Sequence, residues 1–144
     1  MNDALLDGLV QLSFGVQAVL GRVAERHDLS LAQVRLLGIL RGREPGMLEL
    51  ADYLRLDKSS ITGLVGRAEE RGFVRRSPSP DDRRAVRVSL TAKGRELART
   101  FAKQVAAELE TLVEGWSEAD RKKLTALAER VVEAAAGERL ALLG

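Results

Sequence analysis

Cysteine is absent from this chain of 144 residues, and histidine, proline and aromatic residues are scarce. Without a thiol the protein can form neither a disulfide nor a thiolate zinc site, and it cannot sense oxidants through cysteine. The single histidine, His27, excludes histidine-rich metal sites and most catalysis by imidazole. The five aromatic residues are too few and too scattered for a platform that stacks single-stranded bases.

Sequence patterns of catalysis and of membrane insertion are also missing. There is no phosphate-binding glycine loop, no carboxylate pair at a recognisable helical spacing and no nucleophile beside a base, so we expect no enzyme, cofactor or metal site. The longest stretch without a charge, residues 8–21, is shorter than the roughly 20 apolar residues that a bilayer requires, which predicts no membrane span. The first residues lack a secretory signal, so we expect a cytoplasmic protein.

Positive charge is concentrated in the middle of the chain. Twelve Lys/Arg and six Asp/Glu lie between Arg55 and Arg99, a net charge of +6, whereas the remaining residues together carry −4. Eighteen of the 23 basic residues are arginine, which suits bidentate contacts with phosphate and guanine and fits narrow minor grooves. The charge favours a polyanionic partner, although an ordinary solvated surface explains it equally well at this point.

The spacing of apolar residues predicts a single, mostly α-helical domain with one small β-hairpin. Helices are expected at residues 4–24, 30–42, 48–55 and 58–71, and Gly72 suits the C-cap of the last of these. Apolar residues then alternate, which predicts strands at 73–77 and 86–90. A helix of roughly 39 Å from Thr91 to Trp116, and a last helix that opens at Ser117, complete the pattern.

Two short helices followed by a hairpin are typical of a winged helix-turn-helix, in which the second helix enters the major groove and the hairpin is the wing. In that second helix the core-facing residues are expected to be Ile61, Leu64, Val65 and Ala68. The outer face is small, polar and basic, and its predicted DNA-binding residues are Lys58, Ser59, Ser60, Thr62, Gly63 and Arg67, with Gly66 beside them. A surface helix of weak helical propensity is the alternative interpretation.

Two further segments carry recognisable motifs. Residues 82–94 read Asp-Arg-Arg-Ala-Val-Arg-Val-Ser-Leu-Thr-Ala-Lys-Gly, and residues 56–62 read Leu-Asp-Lys-Ser-Ser-Ile-Thr. The first is similar to an Asp-x-Arg wing followed by an aliphatic residue and Leu-Thr-x-x-Gly, and the second is similar to the entry of a recognition helix. Together they resemble the multiple-antibiotic-resistance regulator (MarR) family of bacterial transcription factors, and the resemblance covers nearly the whole chain.

The resemblance implies a homodimer that binds a palindromic operator in double-stranded DNA, usually as a repressor, and that a small aromatic or anionic effector can release. Dimerisation helices are then expected at residues 1–28 and 117–144, the winged helix-turn-helix at 30–90 and a linking helix at 91–116. An intramolecular helix bundle is the alternative to the dimer. A winged-helix module that acts mainly through protein contacts, with little specific DNA binding, is the alternative function.

The resemblance also assigns roles to the wing. Arg84 resembles the family's wing-tip arginine, which enters the minor groove, and Asp82 resembles the acid that orients it. Arg75, Arg76 and Arg83 are expected to contact phosphate, with solvated strand arginines as the alternative. In the recognition helix, Gly63 stands where many members carry arginine, so base readout there is in doubt unless Arg67, one turn further, compensates.

Overall fold

The structure is a computed structural model that describes residues 1–82 and 84–143. These residues form six helices and one hairpin: α1 (Asp3–Arg26), α2 (Leu31–Ile39), α3 (Met47–Leu54), α4 (Lys58–Glu70), β1 (Val74–Pro78), β2 (Val86–Leu90), α5 (Ala92–Leu112) and α6 (Glu118–Leu143). The element order confirms the predicted mostly helical fold with a small β-hairpin wing.

Side-chain caps fix where several helices begin. Ser30 accepts a hydrogen bond from the backbone N–H of Gln33 at 3.1 Å, and Ser117 accepts one from the backbone N–H of Asp120 at 3.1 Å. Such bonds satisfy amide groups of the first turn, which have no partner inside the helix. The predicted starts of α2 and α6 are therefore confirmed.

Two helices end earlier than predicted. α2 ends at Ile39 rather than at Gly42, and α5 ends at Leu112 rather than at Trp116. Gly42 and Gly115 follow them with φ of +75° and +81°, a left-handed conformation that glycine adopts without strain and that leads the chain out of a helix. α5 has 21 residues and is roughly 32 Å long, so the predicted length of roughly 39 Å was too great.

One hydrophobic core holds the short helices and the hairpin together. All four residues predicted to face inward on α4 are at most 2% exposed. They belong to a cluster with side chains from α2, α3 and both strands, among them Leu36, Leu50, Val74 and Val88. Burying one such side chain stabilises a fold by about 1.5–3 kcal/mol, so the inner face fixes α4 and its outer face remains at the surface.

The hairpin is joined to the helical core at its base. β1 and β2 are antiparallel, in a register that runs from Val74 opposite Leu90 to Pro78 opposite Val86. The segment between α2 and α3 pairs with β2, because the Val88 N–H donates to the carbonyl of Pro45 at 2.9 Å. The base of the wing is thereby held from both sides, and the loop at its tip includes residues 79–82, 84 and 85.

The chain divides into two compact units, Met1–Leu109 and Glu110–Gly144. The first contains the core, the hairpin and most of α5. In the second, the Arg121 guanidinium contacts Glu110 at 2.7 Å and donates to the carbonyl of Val113 at 2.9 Å. The hydrogen bond from Arg121 lowers the pKa of the Glu110 carboxyl.

α1 exposes large apolar side chains along its first half. Leu5, Leu9, Leu12 and Phe14 are between 38% and 60% exposed. The helix has 24 residues and is roughly 36 Å long, and by length and composition it could cross a membrane. The criterion allows two charged residues in its window, so α1 meets it although its longest charge-free stretch, residues 8–21, is shorter than a membrane span. One such helix is weak evidence, because core helices of soluble proteins and signal sequences meet the same criterion.

Candidate nucleic-acid interface

The outer face of α4 presents the predicted polar and basic residues to solvent. Lys58, Ser59, Ser60, Thr62 and Arg67 are exposed, whereas the glycines between them are half-buried. Within residues 1–82 and 84–143, neither Lys58 nor Arg67 has a carboxylate partner. The helix thus carries two unpaired cations on its solvent side.

Asp57 organises the first turn of α4. Its Oδ1 accepts hydrogen bonds from the backbone N–H of Ser60 at 2.7 Å and from the Ser59 hydroxyl at 3.0 Å. These bonds, chiefly that from the Ser60 backbone, lower the pKa of Asp57. A carboxylate here also interacts favourably with the helix dipole, so an acid is tolerated beside a surface that is otherwise basic.

The hydroxyl groups of α4 are already engaged in the free protein. Ser59 donates to Asp57, and Thr62 Oγ1 donates to the carbonyl of Lys58 at 2.7 Å. Sequence reasoning treated these hydroxyls as donors to phosphate or base edges. In the arrangement seen here their protons are used inside the helix, and both side chains must rotate before they can donate to DNA.

Arg67 lies beside Gly63, one turn earlier on the same helix. A Cβ atom placed on Gly63 would be 3.1 Å from Nη1 of Arg67. The guanidinium therefore occupies the volume that a side chain at position 63 would fill.

The wing tip is a tight turn held by Asp82. Its Oδ1 accepts a hydrogen bond from the backbone N–H of Arg84 at 3.0 Å, and its carbonyl accepts one from Ala85 at 3.0 Å. Arg84 itself is exposed. Asp82 thus positions Arg84 through the backbone. Arg83, the third predicted wing residue, lies outside the described residues.

The two arginines of β1 have different surroundings. The Arg76 guanidinium contacts Glu69 of α4 at 2.8 Å, and this hydrogen bond lowers the pKa of Glu69. Arg75, which is exposed and points to the other side of the strand, has no ion-pair partner among the described residues. Any phosphate contact by Arg76 therefore competes with Glu69, a residue that sequence reasoning missed. Opposite charges seven residues apart across the turn from α4 to β1 were the available signal.

Comparison with known proteins identifies the fold. Residues 27–85 match the sequence model of the MarR family. Solved structures of MarR-family regulators share the architecture, with TM-scores between 0.74 and 0.79. Over residues 27–85 the chain is therefore similar to the MarR family, and the solved structures show that it shares the family's fold.

The curated relatives of this chain are named as transcriptional regulators. YfiV of Bacillus subtilis, an uncharacterised HTH-type regulator, is 38% identical over 87 residues, and the match covers 57% of this chain and 53% of YfiV. This chain therefore matches about half the length of that relative. The homoprotocatechuate degradative operon repressor of Escherichia coli is 27% identical over 134 residues, which cover 92% of this chain and 90% of the repressor.

One similar structure contains a small aromatic acid. NadR in complex with 4-hydroxyphenylacetate has a TM-score of 0.77 and 23% identity to this chain, and the match covers 93% of this chain and 94% of NadR. At this identity the likeness establishes a shared fold.

Two neighbouring cavities lie on the first unit of the protein, residues 1–109. One, of about 330 Å³ between α2 and α5, is lined by apolar residues that include Leu37, Phe101 and Val105, with Arg41 as its charged lining residue. The other, of about 500 Å³, shares Arg41 and is lined by three further arginines, Arg43, Arg95 and Arg99. Sequence reasoning could not find either cavity, because each depends on how separate elements pack.

The end of α4 is also tied to the end of α1. The Arg71 guanidinium donates to the carbonyls of Asp28 at 2.7 Å and His27 at 2.9 Å, and it lies over the Phe73 ring at 4.8 Å from the centroid. His27 in turn contacts Gln104 of α5 at 2.7 Å. These contacts connect α4 with α1 and α5 by polar interactions.

Proposed function

We propose that this protein is a homodimeric repressor of the MarR family that binds a palindromic operator in double-stranded DNA and is released by a small aromatic or anionic effector. The observation that carries the proposal is the outer face of α4 together with the wing tip. There Lys58, Arg67 and Arg84 are exposed cations, while the nearby acids Asp57 and Asp82 are occupied by hydrogen bonds to the backbone. Such a surface attracts phosphate and can place arginine in a groove.

Replacing Arg84 with alanine is expected to weaken operator binding by roughly 10- to 100-fold while the fold stays intact. Arg84 is exposed at the wing tip and packs against no part of the core. Fluorescence titration with an operator duplex measures the affinity, and circular dichroism measures helix content.

Arg130→Ala is the matched control, since Arg130 is an exposed arginine of α6, away from the basic middle of the chain. Its binding should equal that of the wild type. Wild-type affinity for random duplex should also fall steeply as salt increases. Salt-independent binding, or an Arg84→Ala variant as tight as the wild type, would favour the alternative of a protein-interaction module.

Dimer formation is expected because apolar side chains are exposed on two long helices. On α1 these side chains are Leu5, Leu9, Leu12 and Phe14. On α6, Leu127, Val131 and Val132 are 47%, 54% and 66% exposed. Apolar faces of this kind mark interaction sites in soluble proteins. Sedimentation at micromolar concentration should give about twice the 15.7 kDa of the chain. A monomer, or a chain that floats with lipid vesicles, would contradict the proposed dimer.

The apolar cavity between α2 and α5 is the proposed effector site. Its volume of about 330 Å³ suits a small aromatic molecule, and Arg41 offers a charge partner for a carboxylate. The 4-hydroxyphenylacetate in the structurally similar NadR supports this choice of ligand class.

With 4-hydroxyphenylacetate as the probe, we expect a higher melting temperature and release of operator DNA. Arg41→Met should abolish both effects, whereas Lys103→Met, which alters an exposed cation of α5 outside the cavity lining, should keep them. Thermal melts and gel shifts with and without the probe measure the two effects. An equal response of wild type and Arg41→Met would remove Arg41 from the site.

A further inference from the structure

The two glycines of α4 lie on the face of the helix that points away from the core. At about 100° per residue, Gly63 and Gly66 fall opposite the buried residues Ile61, Leu64 and Val65. Arg67 borders the same face. Both glycines weaken a helix relative to alanine, so their presence on this face calls for a physical reason.

The surroundings of the two glycines differ. A Cβ atom on Gly66 would meet nothing within 4 Å, whereas a Cβ atom on Gly63 would lie 3.1 Å from Nη1 and 4.0 Å from Cζ of Arg67. Side chains on a helix lean toward its N-terminus, so the side chain at position 67 covers position 63. The missing side chain of Gly63 thus makes room for the guanidinium of Arg67 over the middle of the outer face.

Among the described residues, the Arg67 side chain has no acceptor, in contrast to the side chains of Arg71 and Arg76. Arg76 is paired with Glu69, and Arg71 donates to backbone carbonyls at the end of α1. Within the described ranges, 1–82 and 84–143, no hydrogen bond or ion pair engages the side chain of Arg67. Its guanidinium donors are therefore free for a ligand that approaches the outer face of α4.

From this geometry we infer that Arg67 reads a guanine in each half-site, and that Gly63 determines this specificity by leaving room for the Arg67 guanidinium. Arginine donates two parallel hydrogen bonds to O6 and N7 of guanine in the major groove. The inference rests on the proposed function, since only a DNA-bound α4 meets a base edge. A methyl group at position 63 would lie 3.1 Å from Nη1 of Arg67, so the guanidinium must shift by a few tenths of an ångström. We expect this shift to weaken its contact with the guanine edge.

The experiment selects bound duplexes from a randomised pool with the wild type and then measures affinities for the selected site and for single-base variants. We expect one guanine per half-site whose replacement by adenine lowers wild-type affinity roughly tenfold. The affinities of Arg67→Met for the guanine site and for the adenine-substituted site should lie within about twofold of each other. Lys58→Met is the control, because it removes one positive charge from the same helix. It should weaken binding to the guanine site and to the adenine-substituted site equally, and it should keep the guanine preference.

The glycine variants test the second half of the inference. Both Gly63→Ala and Gly66→Ala should raise the melting temperature by roughly 2–4 °C, because alanine favours helix. Only Gly63→Ala should lose guanine discrimination, whereas Gly66→Ala should keep it.

The outcomes separate this inference from the proposed function. Wild-type protein that selects no motif, or binds DNA without salt dependence, overturns the proposed function and the inference with it. Tight, salt-dependent operator binding combined with an unchanged guanine preference in Arg67→Met overturns the inference alone. An unchanged preference in Gly63→Ala overturns the role assigned to Gly63.

Discussion

Gly94→Ala is expected to destabilise the winged domain by about 3 kcal/mol or more, the upper end of the range for overpacking in a core. A Cβ atom on Gly94 would lie 2.0 Å from the carbonyl oxygen and 2.9 Å from the carbonyl carbon of Phe73. Both are backbone atoms, so no side-chain rotation relieves the clash. The Phe73 carbonyl also accepts a hydrogen bond from the Thr91 N–H at 3.0 Å, which a shift of either segment would break.

The loss should appear as a melting temperature lower by roughly 10 °C, measured by circular dichroism. Gly66→Ala is the control, because its added methyl group meets nothing within 4 Å and should not lower the melting temperature. A Gly94→Ala variant as stable as the wild type would mean that the start of α5 and the start of the wing are not in this contact.

The same contact explains the Leu-Thr-x-x-Gly pattern in physical terms. Thr91 Oγ1 accepts a hydrogen bond from the Gly94 N–H at 3.0 Å and donates to the carbonyl of Gly72 at 2.5 Å. Threonine therefore caps α5 and binds the turn before β1, while glycine lets the helix approach the Phe73 backbone. The sequence pattern indicated family resemblance, but only the packed structure shows which atoms require these residue types.

Local signals predicted α4 well because each acts within a few residues. Apolar spacing identified the inner face, and Asp57 identified the start, where the structure shows a capping hydrogen bond. The length of α5 was overestimated for a related reason. The apolar stripe continues to Trp116, but Gly115 has φ of +81° and leads the chain out of the helix first. Apolar spacing does not report backbone conformation at glycine.

Features of the candidate site that depend on packing were not predictable from the sequence. The position of Glu69 against Arg76 depends on how β1 leaves the turn after α4, and that direction is set by the core. The position of Arg67 over Gly63 depends on which side-chain rotamer the exposed arginine adopts. Sequence could therefore nominate Arg67 and Arg76 as equal cations, whereas the structure separates a free guanidinium from a paired one.

A half-turn insertion between operator half-sites is expected to lower affinity to the non-specific level, a loss of roughly 1,000-fold or more. In a homodimer the two copies of α4 are related by the dimer axis, so each presents Ser59, Ser60, Thr62 and Arg67 to an equivalent groove position. The proposed operator is then an inverted repeat with half-sites roughly 10 bp apart, centre to centre. Inserting about five base pairs rotates one half-site to the opposite face of the duplex.

A second insertion, of about ten base pairs, distinguishes a rigid dimer from loosely joined modules. It restores the face of the duplex but moves the half-sites about 34 Å further apart, a distance that a dimer with one fixed spacing cannot accommodate. Gel shifts with the native, half-turn and full-turn operators should therefore show tight binding to the native site alone. Equal affinity for all three would require independent binding by each winged domain. Recovery with the full-turn insertion would instead require a flexible dimer, because the two α4 helices could then engage one face of the duplex at more than one separation.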